Sequence, residues 1–373
     1  MDSTQASIIA SASALLGQQL TDPVDLGGSH RSVVLRARTT DGDSVVIKKY
    51  ADGEDARATF TAESSGLAFT DFGPQLLAVD IKVPLLIMED LGAHPSLADR
   101  LLGDDPEAAV AALLDWASTY GRMAAASVGR EPELNRLVTE YGQGVAPKSD
   151  VTWFPQQCAA FPKRLVELGI PVPDGLDEEI SALLETLLSG PYRVFSPGDI
   201  CPDNNLLTPD GFRPLDFEHA SFHSVFLDAA YASMPFATCW CVYRLPNGLA
   251  DTIDDRYRSE LTATFPDLGN DSIWHSGVRA AVALWTVGMS AGQIKWAENE
   301  DKPMHSDERP RPTIRQILHY RWELLRDLLD AADEFPAIAE CMRALLTATA
   351  SWNPDPLPVY PAFSRTQSRA SAA

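Results

Sequence analysis

Residues 194–218 read VFSPGDICPDNNLLTPDGFRPLDFE, and the fold is decided in this stretch. Three acceptor side chains stand at fixed offsets: Asp199, Asn204 and Asp216. A β-hairpin fits between the last two. Residues 204–207 make its outgoing arm, Pro209-Asp210-Gly211 is a turn signal, and 212–215 leads back to Asp216. A hairpin sets the residues at its mouth side by side, so Asn204 and Asp216 are expected to face one another beside the loop that carries Asp199. A carboxylate and an amide oxygen at short range suit a hard, oxygen-preferring cation such as Mg²⁺, bound partly through the phosphates of a substrate. A further carboxylate nearby, off the metal, suits a base that takes a proton from a hydroxyl.

An Asp, then an Asn, then a metal-binding Asp after a hairpin is the order used for phosphoryl transfer in kinase catalytic loops. The segment resembles the aminoglycoside phosphotransferase and choline kinase group of kinase-like enzymes. Their usual pattern is H-G-D-x4-N followed by D-F/W-E/D. This chain has P-G-D-x4-N and D-F-E, with Pro197 where the family carries His. The resemblance implies an α+β fold of the bilobal protein-kinase type. It has a small N-lobe, made of a five-stranded antiparallel sheet plus a helix, and a large, mostly helical C-lobe. It also implies Asp199 as catalytic base, Asn204 and Asp216 as Mg²⁺ ligands, and ATP or GTP as phosphoryl donor. Asp228, in F-L-D-A-A-Y, is implied as a brace under the catalytic loop. Pro197 points to an alternative, a kinase-like binding or regulatory protein with impaired catalysis.

The N-terminal third has the matching order. An amphipathic helix is expected over 5–20, followed by strands over 24–26, 33–38, 44–50, 75–79 and 85–89, with one helix over 55–69 between the third and fourth. Three strands, a helix and two strands make a kinase small lobe. A kinase needs a Lys on the third strand to hold the phosphates and a Glu on the next helix to fix it. The third strand reads VVIKKY, and alternation puts Lys48 and Lys49 on opposite faces. Pattern alone does not choose between them; the family's V-x-[KR] favours Lys48, with Glu63 as its partner. Gly28 and Ser29, at the first hairpin, are expected over the phosphates, where glycine lets backbone N–H groups approach closely. Glu89-Asp90-Leu91-Gly92 matches the family's E-D-L-G, which places adenine against the backbone of Met88, Glu89 and Leu91.

The remainder is largely helical, with helices expected over 97–102, 106–128, 156–168, 176–188, 226–236, 272–296, 313–332 and 336–350. Residues 129–155 carry no clear period. The expected organisation is an N-lobe at 1–90, a C-lobe with catalytic loop and substrate site at 91–353, and a disordered tail at 354–373.

Composition narrows the function. A net charge of −22 argues against nucleic acid and anionic membrane surfaces. No apolar run is long enough to span a bilayer, and the N-terminus lacks the basic start of a secretory signal. Five cysteines without framework spacing, among them Cys239 and Cys241 with no second pair following, indicate neither a disulfide scaffold nor a zinc site. A reduced, cytoplasmic setting is therefore expected. His219 and His223 have helical spacing but no third ligand of suitable spacing. Asp203 and Glu218 put carboxylates where an acceptor lies. With Trp240, Trp274, Trp285 and Trp296, they suggest a small cationic or amine-bearing substrate with a free hydroxyl.

Overall fold

The structure, a computed structural model, describes residues 3–147, 150–236, 238–303 and 311–364. Helix α1 (Ser3–Leu16) leads into strands β1 (Leu20–Ser29), β2 (Ser32–Thr39) and β3 (Ser44–Tyr50). Helix α2 (Glu54–Phe69) precedes β4 (Leu76–Asp80) and β5 (Leu85–Glu89). The five strands form one sheet in the order β1-β2-β3-β5-β4, every neighbour antiparallel. The expected α+β small lobe is present. Two boundaries differ from expectation. Gly17, in the left-handed region, stops α1 early, so Leu20 opens β1 instead of closing a helix. β1 runs well past 24–26 because irregularities between Thr21 and Val24 and between Asp25 and Gly27 let it stay paired to β2.

The sheet has two apolar faces with different partners. Ile8, Ile9 and Ala12 of α1 pack on Leu35, Ala37, Val45, Ile47 and Ile87 as a small closed core. On the opposite face Tyr50, Leu86 and Met88 join Phe60, Leu67 and Phe69 of α2, and these belong to the core of the large lobe.

That lobe contains α3 (Leu97–Leu101), α4 (Pro106–Ser127), α5 (Glu131–Gly142), α6 (Asp150–Glu167) and α7 (Leu176–Ser189). Strand β6 (Arg193–Ser196) and the hairpin β7 (Asn205–Thr208) and β8 (Gly211–Pro214) follow, then β9 (Ser221–Ser224). Helices α8 (Val225–Ser233), α9 (Leu249–Leu261), α10 (Asp271–Asn299), α11 (Ile314–Ala332) and α12 (Pro336–Ala348) complete it. Two of the helix starts show side-chain capping clearly. Asp105 caps α4 by accepting from the Glu107 and Ala108 N–H groups, with Pro106 in its first turn. Thr313 and Gln316 make a reciprocal capping box on α11. Helix α10 is buried along most of its length, as its all-round apolar sequence requires.

Residues 354–364 do not form the expected disordered segment. Leu357, Tyr360 and Phe363 are buried, the Tyr360 hydroxyl donates to Cys241 O at 2.8 Å, and Arg244 Nε donates to Leu357 O at 2.9 Å. Aromatic anchors in a proline-rich stretch supply contacts that composition does not reveal. The rest of that expectation, 365–373, lies outside the described residues.

Phe217 wedges the hairpin against α2. A Cβ on Gly66 would stand 2.6 Å from Ala220 Cβ and 3.1 Å from Phe217, and one on Gly73 2.4 Å from the Phe217 ring. Glycine at 66 therefore permits the close approach. Gly66→Leu should lower stability by about 1–3 kcal/mol, the usual cost of overpacking. Gly269→Ala, with open space around it, should be near neutral. Chemical denaturation of both variants checks this, and equal midpoints would contradict it.

Candidate active site

Alternation on β3 sends its two lysines to opposite faces. Val45 and Ile47 point to α1, so Lys49 does too, beside Thr4, Ser7 and Ile8. Val46 and Lys48 point to the cleft between sheet and large lobe. Lys48 Nζ lies 2.5 Å from Glu63 Oε2, and the Tyr50 hydroxyl donates to the same oxygen. Burial pushes Glu63 up, to about 7, against the opposing pull of Lys48. For Lys48 burial works the other way, but Glu63 and Asp216 outweigh it and hold the ammonium well above its ordinary value.

The large lobe supplies the floor. The hairpin pairs Asn205 with Pro214, and Leu215 N–H donates to Asn204 O at 2.9 Å. Asn204 and Asp216 thus sit at its mouth and both line the cleft with Lys48 and Glu63. Asn204 Nδ2 donates to Asp199 O at 3.2 Å, which turns the amide nitrogen towards the loop and its oxygen away. Asp216 Oδ1 accepts from Glu218 N–H at 3.0 Å. An amide oxygen and a carboxylate beside an ammonium are the donor set for a hard divalent ion with phosphate.

Asp199 is held on both sides. Thr238 Oγ1 donates to its Oδ1 at 3.0 Å. Burial raises its carboxyl, with Asp216 and Asp203 adding to the shift, against the hydrogen bonds from Cys201 and Thr238. The loop beneath is braced from Asp228, which is 2% exposed. Ser196 Oγ donates to Asp228 Oδ1 at 3.0 Å, and Gly198 N–H donates to Ser196 Oγ at 3.1 Å. Pro197 sits between those two residues and leaves the motif without its imidazole. Another strand brings one: His223 Nε2 of β9 stands 3.0 Å from the same Asp228 oxygen. Gly198 has φ +87°, and a Cβ there would meet His219 at 2.6 Å, so no other residue fits that turn.

Other expected site residues are placed differently. Met88, Glu89 and Leu91 line the cleft; Gly28 and Ser29 are not among its lining residues. Ser29 lies on the α1 side with Lys49, and Gly28 is required instead because a Cβ there would stand 2.3 Å from Ser32 O. Glu218 pairs with Arg31 at 2.8 Å and His219 at 3.5 Å. Burial opposes its charge, but His219 and Arg31 hold it down at about 2. Asp203 Oδ2 accepts from Trp240 Nε1 at 2.5 Å. Trp274 and Trp285 are core residues, and the guanidinium of Arg311 lies 3.7 Å over the Trp240 ring. Trp274 and Trp285 therefore offer no open face to a substrate, whereas Trp296 is exposed.

Two features escaped the sequence. Asp90 accepts two hydrogen bonds from Arg36, at 2.6 and 2.9 Å, and one from Ser44 at 2.6 Å, which fixes the rim where β5 leaves the sheet. Arg213 of β8 reaches Glu89 at 3.0 Å and the carbonyl of Gly73 at 2.5 Å. Both are long-range pairs with no local pattern to expose them.

No protein-family model matches the sequence, and no curated protein matches it. Solved structures do. A choline/ethanolamine kinase family protein from Mesorhizobium loti superposes with a TM-score of 0.51 at 15% identity, covering 93% of this chain and 100% of that one. The chain has the choline kinase fold. A choline kinase from Cryptosporidium parvum gives a TM-score of 0.53 at 9% identity, over 86% of this chain and 93% of its own. In this chain Lys48, Asn204 and Asp216 line one cleft between the sheet and the helical lobe.

Lys48→Met removes the charge that opposes burial of Glu63, so that carboxyl should rise further. A carboxyl raised on folding favours the folded state below its unfolded pKa, and the advantage fades as pH climbs towards the folded value. The stability gap between parent and variant should therefore widen from about pH 5 to about pH 8. Urea denaturation at both values tests this, and a constant gap would overturn it.

Proposed function

We propose that the protein is a cytoplasmic phosphotransferase that uses Mg²⁺ and ATP or GTP to phosphorylate a hydroxyl of a small, amine-bearing or cationic molecule, such as an amino sugar, amino alcohol or aminoglycoside. The observation that carries this reading is the convergence of Lys48, Asn204 and Asp216 on one cleft, with Asp199 anchored beside them. Residues 1–90 would form the nucleotide-binding N-lobe and 91–353 the C-lobe with the catalytic loop and the substrate site.

Lys48, fixed by Glu63, would hold the nucleotide phosphates, and the backbone of Met88, Glu89 and Leu91 would receive the base. Asn204 and Asp216 would hold Mg²⁺, which when bound neutralises phosphate charge. Asp199 would orient the acceptor hydroxyl and accept its proton. In such a transfer the rate comes mainly from positioning and charge stabilisation of a loose transition state. Burial favours the protonated form of Asp199, so a cationic acceptor that offsets Asp203 and Asp216 would also help Asp199 ionise. The net charge of −22 favours the approach of such an acceptor. The two solved neighbours described above are named for choline-type kinases, which agrees with an amino-alcohol acceptor. The brace from Asp228 through Ser196 to Gly198 favours an active enzyme over the impaired, regulatory reading, because the loop is supported without the family's His.

Asp199→Asn should keep MgATP binding and lose about 10²–10⁴-fold in kcat. Asp216→Ala should lose Mg²⁺-dependent nucleotide affinity. Calorimetry that found equal MgATP binding in both variants would show the assigned roles to be wrong.

The acceptor class is tested with a panel of aminoglycosides, amino sugars, amino alcohols, neutral sugars and nucleosides, scored by product mass. Turnover is expected on the amine-bearing members and should weaken as salt screens the field. Turnover confined to neutral sugars or nucleosides would sink the cationic assignment and leave phosphotransfer standing.

A further inference from the structure

Three of the five cysteines come together beside the catalytic loop. Cys201 follows Asp199 on that loop. Cys239 and Cys241 lie on the segment between α8 and α9 that also carries Thr238. All three are buried, at 2%, 1% and 0% exposure. One ligand atom each from Cys201, Asp203 and Cys239 lies within 4.8 Å of the others, and the Cys241 sulfur is 3.0 Å from that of Cys239. Ligands 2.3 Å from a tetrahedral ion stand about 3.8 Å apart, so these separations bracket the spacing of a zinc site.

The carboxylate is oriented for such a role. Trp240 Nε1 holds Asp203 Oδ2 at 2.5 Å, while Oδ1 faces the Cys239 sulfur at 3.8 Å. A donor that fixes one carboxylate oxygen and leaves the other towards the thiols is the outer support that metal-binding carboxylates carry. The Arg311 guanidinium over the Trp240 ring puts positive charge beside a site that is anionic once its thiols ionise.

We propose that Cys201, Asp203, Cys239 and Cys241 bind one Zn²⁺, in a site distinct from the Asn204–Asp216 pair. On binding, the three thiols lose their protons to solvent and the ion takes three thiolates and one carboxylate, with no change in oxidation state. Sulfur ligands select a thiophilic ion, and the carboxylate favours Zn²⁺ over Cu⁺. The site would fasten the catalytic loop to the segment of Thr238, whose hydroxyl bonds both Asp199 and the Cys201 sulfur at 3.0 Å. Its role is structural. It does not depend on the phosphotransferase reading, since every measurement below is made without nucleotide.

The test uses the full chain, purified from zinc-supplemented medium without chelator. Native mass spectrometry and elemental analysis should find about one zinc per chain. Cobalt exchanged into the same protein should give thiolate-to-metal charge-transfer bands and tetrahedral d–d absorption. Cys239→Ser should lose the metal, Cys239→His should retain it because imidazole also ligates zinc, and Cys158→Ser and Cys341→Ser should be unaffected. If Cys239→Ser does not fold, the cobalt spectrum and zinc content of the parent protein decide. The proposal is overturned by a parent chain that takes up no zinc with the ion in excess, by an octahedral cobalt spectrum, by zinc retained at full occupancy in Cys239→Ser, or by a Cys239–Cys241 or Cys201–Cys239 disulfide in place of bound metal.

Discussion

The ion pair between Lys48 and Glu63 is the contact on which the cleft depends. Glu63 is 1% exposed and stands 2.5 Å from the ammonium. Removing one partner of such a pair costs about 3–5 kcal/mol, because the other is left buried and uncompensated. The chain meets that constraint from several directions. The alternation of β3 sends Lys48 to the cleft and Lys49 to α1, and Tyr50 donates to the same carboxylate. Phe217, packed into the space left by Gly66 and Gly73, keeps α2 close to the D-F-E segment. The position of the Lys48 ammonium is therefore tied to the position of Asp216.

The large lobe solves a second problem, holding an acidic loop still. Asp199, Asp203 and Asp216 repel one another, and burial raises the cost of that repulsion. Each has compensating donors: Thr238 for Asp199, Trp240 for Asp203 and the Glu218 N–H for Asp216. Below them Asp228 gathers Ser196 and His223. A donor network of this kind specifies one loop conformation, since leaving any member unpaired in a low-dielectric interior is costly.

Much of this was legible in the sequence because the decisive signals are local. The hairpin between Asn204 and Asp216 rests on one turn, and the sheet on alternation within short runs, so β3 and β5 fall where the pattern puts them. What escaped depends on distance along the chain. Helix α9 buries only Ile253, Tyr257 and Leu261, a stripe too narrow to stand out from a polar segment. Helix α6 carries Pro155 and Pro162 inside it, which reads locally as interruption. The Glu218–Arg31 pair joins residues from opposite ends of the site, so an apparent substrate carboxylate turns out to have an internal partner. Cys201 meets Cys239 and Cys241 only in three dimensions.

The core of α2 has a mechanical meaning. Phe60, Leu67 and Phe69 are continuous with the large-lobe interior, and Arg57 donates from α2 to the carbonyl of Tyr141 at 3.4 Å. The helix also holds the sheet: Tyr50, Leu86 and Met88 lie in the same interior, and Arg57 donates to the carbonyl of Ile81 at 2.6 Å. Lys48 and Glu63 stand on two different elements, and this shared packing is what keeps the ammonium and the carboxylate in register. Prising the sheet from the large lobe would therefore strand a buried charge as well as expose apolar surface, and the two costs fall on the same few residues.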